Sequence, residues 1–238
     1  MVKKINTKFA KLIKYYSLIN HNLIYENEAI NRYKINSNLA IKGSKGKELQ
    51  KLKQNIIDIK NCELKKNSKN IVFSDGNPNS KVMIIGEGPG ANEDLEGVPF
   101  IGKTGELLDK MLLSINLNRD NVYITNVVNY RPPENRNPTV EEITRYLPFL
   151  IKHIEIIDPK ILILLGSSAL GAVIGDKQKI SEIRGKWINK NIGKSNIFVI
   201  VSFHPAFLMR QPAQKAMSWI DLKMIRKKIS DLKIKIEK

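Results

Sequence analysis

The sequence predicts an α/β fold, with helices on both faces of a central parallel four-stranded sheet. Two observations carry that expectation. Val/Ile-rich runs of strand length recur along the chain, and helical patterns fall between them. Strands that read as near-continuous apolar runs belong to sheets buried on both faces.

The strand runs are "KVMIIG" at 81–86, "NVYITNVV" at 121–128, "KILILLG" at 160–166 and "NIFVIVSF" at 196–203. Helical patterns occupy about 104–115, 139–156 and 167–174, and another follows Pro212. Ahead of the first strand a short helix is expected near 48–59. "FAKLIKYYSL", from Phe9 to Leu18, also has a helical period. Residues 35–50, rich in Gly, Ser and Lys and without clear periodicity, read as a flexible linker. The 238 residues therefore divide into a basic N-terminal extension with a helix and linker at 1–50, one domain at 51–230, and a basic tail at 231–238.

The net charge is +17, concentrated at the ends. Residues 1–70 carry a balance of +11, residues 222–238 carry +5, and the stretch between carries +1. Basic ends on a neutral core suit an acidic partner such as nucleic acid. A lysine-rich, arginine-poor surface also arises from an AT-rich coding sequence, so both readings stay open for the ends. The single cysteine, Cys62, excludes an intrachain disulfide and a cysteine-ligated cluster built from this chain alone. No apolar run has transmembrane length, and the basic N-terminus lacks a signal-peptide cleavage site. A cytoplasmic, nucleoid-associated monomer of bacterial type, with no membrane partner, is expected.

Parallel sheets bind ligands at the carboxyl ends of their strands. Here those ends read "GEGPG", "TNVVNYRPPENR", "GSSA" and "SFHPAFLMRQP". Glycines, asparagines, a histidine and arginines converge on one edge. Gly86, Gly88 and Ala91 fit the dinucleotide spacing, but Pro89 interrupts the turn and no apolar helix follows. The better reading is a site where backbone amides approach a flat polar ligand and Phe100 stacks on it, glycine lacking a Cβ that would stand in the way.

Five blocks carry a resemblance: "GEGPGANEDLEGVPFIGKTGELLDKML", "VYITNVVNYRPPENRNP", "LGSSA", "IRGKW" and "SFHPAFLMRQP". In order and spacing they resemble the family 4 uracil-DNA glycosylases, the iron–sulfur branch of the uracil-DNA glycosylase superfamily, over about residues 56–225. The resemblance implies a three-layer αβα sandwich and a uracil pocket. Uracil must be flipped out of a duplex or taken from a single strand. Phe100 matches the family's stacking aromatic, and Asn126 its uracil-reading asparagine, whose amide offers an acceptor for N3–H and a donor for O4. Gly86, Glu87 and Gly88 match the backbone cradle, with Glu87 also helping to place the attacking water. His204 matches the catalytic histidine, a donor aimed at uracil O2 as the anion departs. Asn135 matches an asparagine near water or phosphate. Glu93 and Asp94 match the family "ED", and both also suit turn capping. "AFLMRQP" matches the loop that enters DNA, with Leu208 as wedge and Arg210 as phosphate contact. Gly88 stands where other branches carry an activating aspartate, so the leaving group dissociates largely unaided.

The chain departs from the family at the cluster. The four cysteine places of the family's four-iron cluster hold Ile59, Cys62, Tyr130 and Tyr146. One thiolate cannot hold such a cluster, so no metal and no cofactor is expected. The resulting expectation is a monofunctional, metal-free uracil-DNA glycosylase acting on uracil-containing DNA. The alternative is a non-catalytic module of the same fold that binds uracil or single-stranded DNA. The branch that cross-links to DNA through an extra histidine in a basic loop does not fit, since "EGVPFIGKTG" has neither insertion nor histidine.

Overall fold

The computed structural model describes residues 44–175 and 178–236. In chain order the elements are α1 (Ser44–Ile57), α2 (Glu63–Lys66), β1 (Asp75–Gly76), β2 (Val82–Gly86), α3 (Ala91–Glu96), α4 (Gly102–Leu113), β3 (Tyr123–Asn126), α5 (Val140–Ile157), β4 (Ile161–Leu165), α6 (Ser167–Val173), α7 (Ile180–Ile183), β5 (Trp187–Ile192), β6 (Ser195–Ser202), α8 (Pro205–Arg210) and α9 (Lys215–Asp231). The helical pattern at Phe9–Leu18 lies outside the described residues.

Among the described residues the sheet has six strands in the order β1-β3-β2-β4-β6-β5. Its inner four, β3, β2, β4 and β6, are parallel, as their apolar runs predict. Two antiparallel edge strands were not predicted. β1 is only two residues long, and β5 is a half-exposed strand with charged and amide side chains. β5 joins β6 through Gly193 and Lys194. Gly193 has φ +59° at the first turn position, as tight hairpins favour.

Alternation along each inner strand divides the core in two. Met83 and Ile85 of β2, with Leu162 and Leu164 of β4, face a cluster built by α1, α5 and α6. Val82 and Ile84, with Ile161, Ile163 and Leu165, face a second cluster built by α4, α8 and α9. This is a three-layer αβα arrangement. Each fully buried aliphatic side chain contributes about 1.5–3 kcal/mol, and the buried polar strand residues Thr125, Asn126 and Ser202 stand at or next to the strands' carboxyl ends. α5 starts at Thr139, whose hydroxyl accepts from Glu142 N while the Glu142 carboxylate accepts from Thr139 N. Such a cap is worth about 1 kcal/mol.

Residues 44–50 are not linker. α1 begins at Ser44, and Leu49, Leu52 and Ile56 are buried in the first cluster. Gly46 and the lysines mask the period in the sequence, yet the apolar positions fall at i, i+3 and i+7.

Candidate active site

β2 is flanked by β3 on one side and β4 on the other, so the strand order reverses at its carboxyl end. That end is the switch point where a parallel sheet leaves a crevice. A cleft of about 430 Å³ occupies it, lined by residues from all four inner strand ends. The cleft brings together Glu87, Gly88, Phe100, Asn126, Asn135, His204 and Arg210.

Gly86 and Asn126 are paired in register. A β-carbon on Gly86 would overlap Asn126 Oδ1 and the Phe100 ring. The glycine was expected to let a ligand approach the backbone. Its lack of a side chain instead lets Phe100 and Asn126 close over it. Gly88 likewise leaves room for Val128, whose Cγ2 would stand 2.8 Å from a β-carbon there.

Asn126 is 3 % exposed, and its Oδ1 accepts no hydrogen bond. An unpaired buried carbonyl costs roughly 1–3 kcal/mol, and it faces a cleft large enough for a flat polar ring. Phe100 stands beside it with φ +55°, and its ring centroid lies 5.4 Å from that of His204. Arg119 holds this strained turn. Its Nη1 donates to Pro99 O at 3.1 Å and its Nη2 to Phe100 O, while Asp75 and Asp109 pair with the guanidinium at 2.7 and 2.9 Å.

His204 caps α8. Its Nδ1 accepts from Ala206 N at 3.2 Å, which assigns the proton of the neutral ring to Nε2. Burial, assisted by the charge of Arg210, pushes its pKa down to about 4. The ring is therefore a neutral donor at physiological pH. Gly166, at φ +92°, leaves space against His204 Cβ, 3.2 Å from where its own β-carbon would stand.

Glu87 accepts a hydrogen bond from the Ser168 hydroxyl of α6. Asn135, with φ +56°, lines the cleft and accepts from Arg131 Nε at 2.8 Å. Glu93 and Asp94 take capping roles. Glu93 accepts from Gly90 N and Ile101 N, both at 3.0 Å, and so ties the glycine loop to the Phe100 turn. Asp94 accepts from Lys69 N and Asn70 N.

In the α8 loop, Arg210 is exposed and lines the cleft. Leu208 is 1 % exposed and belongs to the second core cluster, so it is not presented to a DNA duplex in this conformation. Its neighbour Met209 is 41 % exposed. Sequence reasoning did not assign Ser168, Arg119 or Arg184. Ser168 and Arg184 sit inside the blocks "LGSSA" and "IRGKW", whereas Arg119 had no signal.

The four places that hold the cluster cysteines in family 4 enzymes lie away from this cleft. Cys62 Sγ is 3.4 Å from Tyr146 Oη, and Cys62, Tyr130 and Tyr146 are buried together in the first cluster with Ile59 packed against it. A single sulfur with two phenols and an aliphatic side chain does not fit a four-thiolate cluster. Among the described residues no group of three or more His, Cys, Asp and Glu side chains stands ready to bind a metal ion. No helix among them is long and apolar enough to cross a membrane.

Comparison with known proteins gives a consistent answer. The family model of the uracil-DNA glycosylase superfamily matches residues 73–227. The type-4 uracil-DNA glycosylase of Sulfurisphaera tokodaii is 39 % identical over 183 residues, covering 75 % of this chain and 83 % of that protein. The enzyme of the same name from Pyrobaculum aerophilum is 39 % identical, covering 74 % of this chain and 92 % of the relative. That of Thermotoga maritima is 43 % identical, covering 63 % and 77 %.

Proposed function

The chain belongs to the uracil-DNA glycosylase superfamily, and from that premise we propose that it hydrolyses the N-glycosidic bond of uracil in DNA, the first step of base-excision repair. The observation that carries this reading is the unpaired, buried Asn126 Oδ1 beside Phe100 and the protonated Nε2 of His204. A base that stacks on Phe100 and donates from N3 to Asn126 carries the uracil edge, which thymine shares and cytosine lacks. Cytosine has no N3–H and carries an amine where Asn126 must donate.

The C1′–N1 bond breaks and its electron pair leaves with uracil, where the charge gathers on O2. Nε2–H of His204 donates to that oxygen as the charge develops, in a setting preorganised by burial. Glu87, fixed by Ser168, holds the water that adds to C1′ and accepts its proton. Backbone groups of Glu87 and Gly88 border the base, Gly86 being covered by Phe100 and Asn126, and Asn135 assists at the water or phosphate side. Arg210 contacts phosphate. Met209, not Leu208, is the apolar side chain this loop offers as a wedge.

The reaction as assigned uses protein groups alone. We propose that the protein works without an iron–sulfur cluster, Tyr130, Tyr146 and Ile59 filling its place, and that it acts as a cytoplasmic, nucleoid-associated monomer. The test is a uracil-containing oligonucleotide incubated with wild type and with His204→Ala in chelator. Abasic product from wild type and its loss in the variant are expected. Binding without turnover by wild type would replace the enzyme with a uracil-binding module.

A further inference from the structure

The "IRGKW" block contributes no group to the reaction as assigned, yet it holds a deeply buried ion pair. Arg184 follows α7 directly, and its side chain is 9 % exposed, while that of Asp221 in α9 is 0 % exposed. The guanidinium donates as a fork, from Nε at 3.2 Å and Nη2 at 2.6 Å, to the two oxygens of Asp221. Nη2 also donates to Met217 O. Ser202, at the end of β6, donates its hydroxyl to Asp221 at 2.7 Å. The Arg184 guanidinium lies 5.2 Å from the centroid of the Phe203 ring. Gly185, at φ +67°, leaves no space for a β-carbon, which would stand 2.9 Å from Asp221 Oδ1.

Buried ion pairs are poor stabilisers. Desolvation consumes most of their attraction, and apolar residues of similar volume serve a core equally well. A directional, bidentate pair does something an apolar contact does not, since it fixes orientation. What this pair orients is the tripeptide Ser202–Phe203–His204. Asp221 holds the first residue, Arg184 stacks on the second, and the third is the histidine of the cleft. Arg184 also anchors α7, whose Ile180 lines the same cleft.

We propose that the Arg184–Asp221 pair is a positioning device for His204, aligning its Nε2 with the departing oxygen of the base. This rests on the role proposed for His204 in the reaction. Neither Arg184 nor Asp221 touches substrate, and neither takes a proton in the reaction.

The test uses the full chain in three forms: Arg184→Met with Asp221→Leu, Ser202→Ala, and His204→Ala. Single-turnover excision at saturating enzyme is read beside affinity for uracil-containing DNA and the thermal midpoint. The apolar pair should keep the fold and its DNA affinity but excise on the order of 10–100-fold more slowly, as small misplacements of reacting groups do. Ser202→Ala should give a smaller loss of the same kind. It carries the test if the apolar pair does not fold. A wild-type rate in a folded pair variant, or in Ser202→Ala where the pair variant does not fold, overturns the proposal while His204→Ala is inactive. A wild-type rate in His204→Ala overturns the histidine assignment and this proposal with it.

Discussion

Gly86 and Asn126 are register partners at the carboxyl ends of β2 and β3, and a β-carbon on Gly86 would overlap the carbonyl oxygen of Asn126. The same β-carbon would meet the Phe100 ring. One missing methyl group thus sets the positions of the Phe100 ring and of the Asn126 amide together.

Gly86→Ala should therefore damage catalysis more than folding. Overpacking of this size costs about 1–3 kcal/mol of stability. Displacing Phe100 and Asn126 together should slow excision on the order of 100-fold. Thermal melts and single-turnover rates on one preparation check both. A variant that melts early yet excises normally would mean that the contact is packing alone.

Asn126→Asp removes the donor to O4 and keeps an acceptor. The expected loss is about 1–3 kcal/mol, roughly 5- to 150-fold in the rate of uracil excision. Unchanged uracil excision by Asn126→Asp would remove this residue from the site.

How much of this was legible before the structure depends on the kind of contact. β2, β3, β4 and β6 announce themselves because both faces of each are buried, leaving apolar runs such as "KILILLG" that nothing else explains. β5 does not, because its edge position admits Asn189, Lys190 and Asn191. The cleft residues were legible because strand ends gather at one edge of a parallel sheet. Leu208 was misplaced because neighbouring positions of a short helix differ completely in burial. Leu208 turns into the core while Met209 turns out. The ties through Arg119, Ser168 and Arg184 join residues 10 to 81 positions apart, and no local period encodes such pairs.

Acid should weaken the fold through its buried histidines. His204 falls from 6.5 to about 4 and His153 to about 3, both through burial. A histidine whose folded pKa is lowered binds its proton more readily in the unfolded chain, so stability rises with pH across the window between the two values. The thermal midpoint should be flat above about pH 6.5 and fall as pH drops toward about 4 for His204 and about 3 for His153. His204→Asn, which retains a capping side chain, should shed part of the drop between 6.5 and 4. An identical pH profile in that variant would count against a buried, neutral His204.

Iron should be dispensable. Protein purified without oxygen should carry no stoichiometric iron and sulfide, and excision should be the same with and without chelator. The reason is the side-chain set at the four ligand places, where Cys62 is the one thiol and Tyr146 Oη approaches it. Stoichiometric iron and sulfide in that preparation would overturn this expectation.

The basic N-terminus can be tested with a truncation that leaves α1 whole. A truncation must end before Ser44, since Leu49, Leu52 and Ile56 belong to the core. Removing residues 1–50 would delete Leu49 along with half of α1 and confound folding with binding. Removing residues 1–40 leaves α1 whole. If the lysines and arginines of that segment neutralise phosphates, affinity should fall for any DNA sequence, uracil-containing or not. The slope of log affinity against log salt should flatten by about 0.9 for each duplex phosphate the truncated protein no longer neutralises. Excision at saturating enzyme should persist, because the cleft is lined by residues from Glu87 to Arg210. An unchanged salt slope would make the charge of residues 1–40 a matter of composition rather than of DNA binding.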